Sequence, residues 1–163
     1  MFEEIKNIIQ EKFGVETILK VEVSLSQTTI TLPKEKLVEV CVELHSNAKT
    51  YFDYLSCITG VDNGLEKATM EVIYHLYSIP FNHHCILKVI EPRSAQVLPT
   101  VPSVIGIWKS ADWHEREIFD LLGINFEGHP DLRRILLPAD WEGYPLRKDY
   151  SQQEYYHGIK VKY

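Results

Sequence analysis

The sequence predicts an α+β fold, a two-layer sandwich in which a mostly antiparallel sheet carries helices on one face, followed by a helix and an extended C-terminal segment. Helix and strand patterns come in the order αββαβββ before residue 93, which is typical of such a sandwich. Pro99 and Pro102 then mark a change of pattern. We therefore expect a sandwich domain over residues 1–92, a helix and loop packed on it over 93–150, and a tail over 151–163.

The first helix is predicted by apolar residues spaced three to four apart. Phe2, Ile5, Ile9 and Phe13 recur between charged residues, and Gly14 is placed to end the helix. This apolar stripe needs a sheet to cover.

A β-hairpin should follow the first helix. Val21, Val23 and Leu25 alternate with polar residues, and so do Ile30 and Leu32. A short polar turn separates the two runs, so we expect an antiparallel pair of strands.

A second helix and three more strands complete the predicted sheet. Pro33 suits the first turn of a helix, because its missing N–H costs nothing there. The β-branched and aromatic runs at 52–59, 69–78 and 84–91 predict strands, separated by Asp-Asn-Gly and Pro-Phe-Asn turn sequences. The second helix should bury the stripe Leu37, Cys41, Leu44 and Ala48.

The composition argues against several classes of function. A net charge of −6 disfavours binding along a nucleic-acid backbone, which requires a basic surface. The apolar runs are too short to cross a bilayer and the N-terminus is too charged for a signal peptide, so we expect a cytoplasmic protein. The eight glycines form no G-x-G-x-x-G loop. The cysteines lack a C-x-x-C pair and are expected to be buried thiols: Cys41, Cys57 and Cys85.

The most informative stretch covers residues 110–150. Its first part is predicted to be a helix that ends at Gly123 in the left-handed conformation. Asp112, Arg116 and Asp120 recur every four residues along it. Such a ladder is ordinarily a solvated face, with each ion pair contributing only about 0.2 to 0.5 kcal/mol.

The same stretch contains a dense motif made of Glu115, Arg116, Glu117, Asp120, His129, Arg133, Ile135 and Leu136. In type and spacing, these residues resemble the defining motif of the C subunit, the 30-kDa subunit family, of respiratory complex I (NADH:quinone oxidoreductase). The neighbouring positions are also similar to that family: Trp113, Gly123, Phe126, Pro130, Asp131, Leu132, Arg134, Gly143, Pro145, Leu146, Arg147, Lys148 and Asp149.

The resemblance implies a non-catalytic subunit in the peripheral arm of a proton-translocating enzyme. Such a protein lies beside the D subunit and near the subunit that holds the quinone-site cluster, and it scaffolds the quinone-reducing module. In that family NADH, FMN, iron–sulfur clusters and quinone are bound by other subunits. The expectation for this chain is therefore no cofactor, metal or catalytic residue, and peripheral membrane association at the cytoplasmic face only through the complex.

Within the motif, we expect an ion-pair and hydrogen-bond network that holds the helix against the following loop or a partner. Its predicted members are Glu115, Arg116, Glu117 and Asp120. His129 is a further candidate for a structural or interface role.

Two basic doublets follow the motif helix, Arg133–Arg134 and Arg147–Lys148. They suit docking onto an acidic partner surface, such as one on the D subunit, but taken alone their pattern is more often that of a solvated loop. The aromatic tail would run along a partner or form a disordered end.

Enzymatic interpretations of single residues are weak. His114 begins a sequence like a zinc-protease helix, but Ile118 stands where the second histidine is required. His83 and His84 point to opposite faces if they lie in a strand. The two motif glutamates are two residues apart, so they do not face each other on a helix as a catalytic acid and base would.

Two other interpretations of the whole chain stay open. Similar subunits occur in membrane-bound hydrogenases, formate hydrogenlyases and ferredoxin- or F420-dependent relatives. A flavin-bearing NADH-input neighbour would favour complex I, whereas nickel-site cysteines in the D-like partner would favour a hydrogenase. A more distant alternative is a stand-alone enzyme or binding module that uses His129 and nearby acidic residues.

Overall fold

The computed structural model describes residues 2–23, 28–94 and 96–161. Its helices are α1 (Phe2–Phe13), α2 (Lys34–Ser46), α3 (Gly64–Lys67) and α4 (Ala111–Leu122), with a 3-10 turn at Val15–Thr17. Its strands are β1 (Lys20–Val23), β2 (Thr28–Thr31), β3 (Tyr54–Asp62), β4 (Thr69–Ser78), β5 (His83–Pro92), β6 (Thr100–Pro102), β7 (Asn125–Glu127), β8 (Tyr155–Tyr156) and β9 (Ile159–Lys160). Leu25 of the predicted hairpin and the last two residues of the predicted tail lie outside the described residues.

Five strands form one sheet in the order β1-β2-β5-β4-β3. The β1–β2, β5–β4 and β4–β3 pairs are antiparallel, whereas β2 and β5 run parallel. β4 and β5 pair along their whole length, with Thr69 opposite Pro92 and Ser78 opposite His83. Two small pairs lie outside this sheet, β6 parallel to β7 and β8 antiparallel to β9. The predicted α+β class with a mainly antiparallel sheet is confirmed.

The hydrophobic core lies between the sheet and the long helices. Every second residue of β4 is buried, which is the pattern of a strand with one covered face. The helices contribute Ile5 and Ile9 from α1, Leu37, Val40 and Leu44 from α2, and Ile118 and Leu122 from α4 to the same cluster.

Most element boundaries agree with the local sequence signals. α1 ends before Gly14, whose φ of 93° is a conformation that glycine adopts readily. α2 ends at Ser46, and the chain then turns at Asn47, so the expectation that Ala48 belongs to the buried stripe is wrong and Ala48 is exposed. The Asp-Asn-Gly sequence predicted as a turn opens the one-turn helix α3.

Within the described ranges, no helix combines the length and apolar character needed to cross a membrane.

Candidate functional site

A glycine in β3 allows the motif helix α4 to pack close to the strand. Gly60 lies under the helix, and a Cβ built at this position would be 2.6 Å from Leu122 Cδ1 and 2.9 Å from Ile118 Cγ2. Before the helix, the Trp108 indole Nε1 donates to the Phe52 carbonyl over 3.0 Å. α4 therefore has a fixed position from which its polar side chains reach the flanking loops.

Asp120, near the end of α4, binds the loop that follows the helix. Its side chain is fully buried, and Oδ2 accepts hydrogen bonds from the backbone N–H groups of Ile135 (3.0 Å), Leu136 (2.7 Å) and Leu137 (2.9 Å). Oδ1 accepts a bond from Arg134 Nη1 at 2.8 Å. Burial by itself would raise the pKa of Asp120, but these donors outweigh burial and lower the pKa below its usual value. One ionised carboxylate thus organises three consecutive amides and a guanidinium.

Glu115 performs the equivalent task for the loop that precedes the helix. Its fully buried carboxylate accepts hydrogen bonds from the Ser103 hydroxyl at 2.5 Å and the Val104 N–H at 2.8 Å. Burial raises the pKa of Glu115 to about 7, although both donors act in the opposite direction. Glu115 therefore titrates near neutral pH, while Asp120 on the same helix is held ionised.

Arg116 connects the helix to the basic loop. It is buried, and its Nε donates to the Arg133 carbonyl at 3.3 Å. Its guanidinium also lies 5.3 Å from the ring centroid of Trp113, within cation–π range. The expectation of a solvated Asp112–Arg116–Asp120 ladder is wrong, because Arg116 and Asp120 turn inward to partners far along the chain.

His129 fastens the turn after β7 to the start of α4. Its Nδ1 accepts a hydrogen bond from the Asp131 N–H at 3.0 Å, which places the proton of the neutral ring on Nε2. Nε2 faces the Asp112 carboxylate at 3.1 Å. The His129 side chain is fully buried, so the ring acts as a bridge between the turn and the helix.

The basic doublets divide into inward and outward members. Arg147 donates to the carbonyls of Leu122 (2.7 Å) and Gly123 (3.1 Å), where the last carbonyls of a helix need partners. Arg134 donates to Asp120 and to the Gly143 carbonyl. Arg147 and Arg134 also lie over the Tyr144 ring, with guanidinium carbons 4.7 and 5.2 Å from its centroid. These two arginines fix the segment to α4.

The outward candidates are Arg133, Lys148 and Glu117. Arg133 is exposed and pairs only with the exposed Asp131 at 3.0 Å among the described residues. Glu117 is exposed on α4 and has no ion pair in the described part of the chain, so the expected network does not include it within this chain.

A second anchor was not expected from the sequence. Asp62 is buried at the end of β3, and Arg93 Nε donates to Oδ1 at 2.9 Å. Its Oδ2 accepts the Lys148 N–H at 2.9 Å, and Arg93 also pairs with Asp149. Burial raises the pKa of Asp62, and the Lys148, Gly64 and Arg93 donors outweigh it, so the net shift is downward. The Asp-Asn-Gly sequence suggested only a turn here.

The tail folds back onto the chain. Asp140 accepts hydrogen bonds from the Tyr156 hydroxyl and pairs with His157 Nε2, each at 2.8 Å. The Tyr156 ring lies 5.3 Å from that of Trp141. Residues 155–160 form the short β8–β9 hairpin beside this cluster.

The histidines and cysteines are dispersed over the described residues. The described part of the chain contains no group of three or more His, Cys, Asp or Glu side chains placed to hold a metal ion. His83 is buried, with Nε2 2.9 Å from the Thr50 carbonyl oxygen, whereas His84 is exposed, as strand alternation predicts. Cys41 and Cys85 are buried, and burial raises the pKa of the Cys85 thiol to about 12. Cys57 is partly exposed on the edge strand β3, which corrects the expectation of three buried thiols.

Comparison with known sequences gives a consistent result. Residues 30–156 match the sequence profile described as "Respiratory-chain NADH dehydrogenase, 30 Kd subunit". The C subunit of the NADH-quinone oxidoreductase of Chlorobium phaeobacteroides is 39% identical over 164 residues, covering 96% of this chain and 93% of the relative. The same subunit of Geobacter sulfurreducens is 40% identical, covering 89% and 86%. That of Chloroherpeton thalassium is 48% identical over 120 residues, but the match covers 74% of this chain and only 48% of that relative.

A solved structure shares the fold. A chain in the structure of the membrane-bound sulfane sulfur reductase, an archaeal respiratory membrane complex, superposes with a TM-score of 0.74 and 24% identity. The match covers 92% of this chain and 85% of that one.

Proposed function

Since the chain belongs to the 30-kDa subunit family of respiratory-chain NADH dehydrogenases, we propose that it is a structural subunit that scaffolds the quinone-reducing module of an NADH:quinone oxidoreductase. The oxidoreductase activity is then a property of the assembly. This chain contributes its shape and its contacts.

The main support for the proposal is that the motif side chains bind partners within the chain. The side chains of Glu115, Asp120 and His129 are each buried and bonded to partners within the chain. A catalytic group must reach a substrate or a cofactor, whereas these groups connect a helix to loops. Motif residues with this arrangement support a rigid surface better than a reactive cleft.

We propose further that the chain holds no flavin, nucleotide, iron–sulfur cluster, quinone or metal of its own. The scattered cysteines and the absence of a metal-ligand group within the described ranges support this. Metal analysis and an absorbance spectrum of the purified chain test it, and a stoichiometric metal or a flavin band would overturn it.

The neighbour that we propose is the D subunit, with the quinone-site cluster subunit close by, on the cytoplasmic side of the membrane. Arg133 is exposed beside the motif helix, whereas Arg134 is paired with the buried Asp120. A substitution at Arg133 therefore tests docking without disturbing the fold. Arg133→Ala should weaken co-purification with the D subunit and leave thermal stability unchanged. Lys67→Ala, at an exposed cation on α3, is the matched control. Unaltered co-purification of the Arg133 variant would count against this contact.

The scaffold role is tested by complementing a deletion strain with the full chain or with a chain that ends at residue 110. The shorter chain lacks α4 and the segments that Asp120 and Asp62 bind, residues 135–137 and Lys148. We expect it to abolish membrane NADH:quinone oxidoreductase activity together with assembly of the peripheral arm. Normal assembly and turnover with the shorter chain would overturn the proposal. Growth of the same strain on hydrogen or formate, lost with the deletion while NADH oxidation is unaffected, would instead favour the hydrogenase-type alternative.

A further inference from the structure

The middle of the edge strand β3 has no hydrogen-bonded strand on its outer side within the described residues. β4 pairs with β3 on one side, and β3 is last in the strand order. At the start of the strand, the side chains of Trp108 and Ser110 donate to nearby carbonyls. At its end, the Lys148 N–H donates to Asp62 at 2.9 Å. Between these two ends, the outward N–H and C=O groups of residues 57–61 have no partner in the described chain except a contact of the Cys57 thiol with the Ile58 carbonyl at 3.5 Å.

A groove of about 280 Å³ runs along this open edge. One wall is formed by residues 57–60. Consecutive strand residues point to opposite faces of a sheet, so the feature that these four residues share is the edge of the backbone. The other wall comes from α4 and the segment after it, through His114, Glu117, Ile118, Leu121, Leu122 and Leu146.

The two edges of the sheet are protected differently. Natural proteins blunt an open edge with short strands, charged residues or proline. β1 follows this rule, because it has four residues and carries the Lys20–Glu22 ion pair at 2.8 Å. β3 has nine residues, with a register shift between Leu55 and Cys57 and one charged residue, the buried Asp62 at its end. Residues 57–61 carry neither a charge nor a proline. A strand of this kind requires another form of cover.

The groove indicates the chemistry of that cover. Leu146 is 59% exposed at its border, and Leu121 presents a further apolar surface on the helix. Glu117 stands at the rim as an exposed carboxylate without an ion pair in the described residues. The open window of residues 57–61 matches a common strand length. An extended segment with alternating apolar residues and one basic residue fits these features.

We propose that residues 57–61 are an assembly edge, at which an extended segment of a neighbouring subunit adds a strand to β3. An apolar side chain of that segment enters the β3–α4 groove, and a Lys or Arg side chain lies opposite Glu117. This inference rests on the proposed function, because the segment must belong to another subunit of the same complex.

The first test places a photo-crosslinking amino acid at Leu146 in the chain of the assembled complex, purified from membranes. We expect one crosslinked peptide from a neighbouring subunit, with alternating apolar residues and a Lys or Arg. The same amino acid at Val15, which is 70% exposed near the opposite edge, should not capture that peptide. Hydrogen exchange of the assembled complex should show the outward amides of residues 57–61 as slowly exchanging as those of the paired strand β4.

The second test reverses the charge at the rim. Glu117→Lys should lower the yield of assembled complex several-fold, and reversing the basic residue of the captured peptide should restore the yield. Glu11→Lys, at an exposed acid on α1, should leave the yield unchanged. Rapid exchange of the outward amides of residues 57–61, with no crosslink at Leu146, in a complex that contains this chain would overturn the assembly edge alone. A chain that co-purifies with no other subunit would instead overturn the proposed function.

Discussion

Replacement of Asp120 by Asn removes the charge at the centre of the loop network with almost no change in volume. Asparagine keeps one oxygen acceptor and puts an NH2 donor in place of the other. If the oxygen stays with the three amides, the NH2 faces the Arg134 guanidinium; if it stays with Arg134, the NH2 faces the amides of residues 135–137. In either orientation, the asparagine NH2 faces other buried N–H donors and an acceptor is missing.

The expected cost follows from this geometry. Breaking a buried ion pair by removing one partner typically costs about 3 to 5 kcal/mol. Arg134 keeps its bond to the Gly143 carbonyl and its side chain is 15% exposed, which favours the lower end of that range. We therefore expect Asp120→Asn to lower the free energy of unfolding by about 3 kcal/mol and the melting temperature by about 10 °C.

Urea denaturation of the purified chain measures this loss, with Asp131→Asn as the matched control. Asp131 pairs with Arg133 at the surface, where such a pair contributes about 0 to 1 kcal/mol. The lowered pKa of Asp120 fixes the pH dependence: its stabilisation is complete well above the unfolded-state value of 3.8 and disappears as pH falls through the folded-state pKa. A loss no larger than that of Asp131→Asn, or a loss that does not shrink in acid, would show that the Asp120 carboxylate does not stabilise this loop.

Three further substitutions test the other contacts of the site. Glu115 has a pKa raised to about 7 against a reference of 4.5, so wild-type stability should fall as pH rises between these values. Glu115→Gln should remove about 3 kcal/mol of that dependence, measured by denaturation from pH 4.5 to 8. Gly60→Ala should destabilise by about 1 to 3 kcal/mol, since its Cβ would lie 2.6 Å from Leu122 Cδ1. Asp62→Asn should cost about 3 kcal/mol and speed proteolysis near residue 148, because the buried Arg93 side chain loses its buried charged partner and keeps only its pair with Asp149.

Each of these substitutions has a contrary result. An unchanged slope of stability against pH in the Glu115 variant would show that another group titrates there. Wild-type stability in the Gly60 variant would show that α4 can move away from β3 at no cost. Equal proteolysis of the Asp62 variant and the wild-type chain would remove the role given to that anchor.

The sequence predicts well what depends on local periodicity. The helix that ends at Gly14 and the 69–78 strand follow from repeats a few residues long, and both are present in the structure. Gly123 is left-handed with a φ of 69°, as a glycine after an amphipathic helix suggests. Tertiary packing and local propensity agree at these positions.

The network could not be predicted in full, because its partners are distant in sequence. Asp120 binds amides 15 to 17 residues away, and the Asp62 carboxylate meets an N–H 86 residues away. The i, i+4 spacing around Arg116 suggested a solvated ladder, and burial reversed that outcome. Within the doublets, Arg134 points inward and Arg133 outward, a difference that depends on the path of the loop rather than on residue type.

Native affinity purification from membranes, with identification of every co-eluting protein, shows whether this chain is a structural subunit of an NADH:quinone oxidoreductase. We expect the D subunit, the quinone-site cluster subunit and a flavin-bearing NADH-input subunit in fixed ratio, with NADH:quinone activity in the same fraction. Elution of the chain as an active species by itself, or with a nickel-binding partner and no NADH-input subunit, would contradict that role.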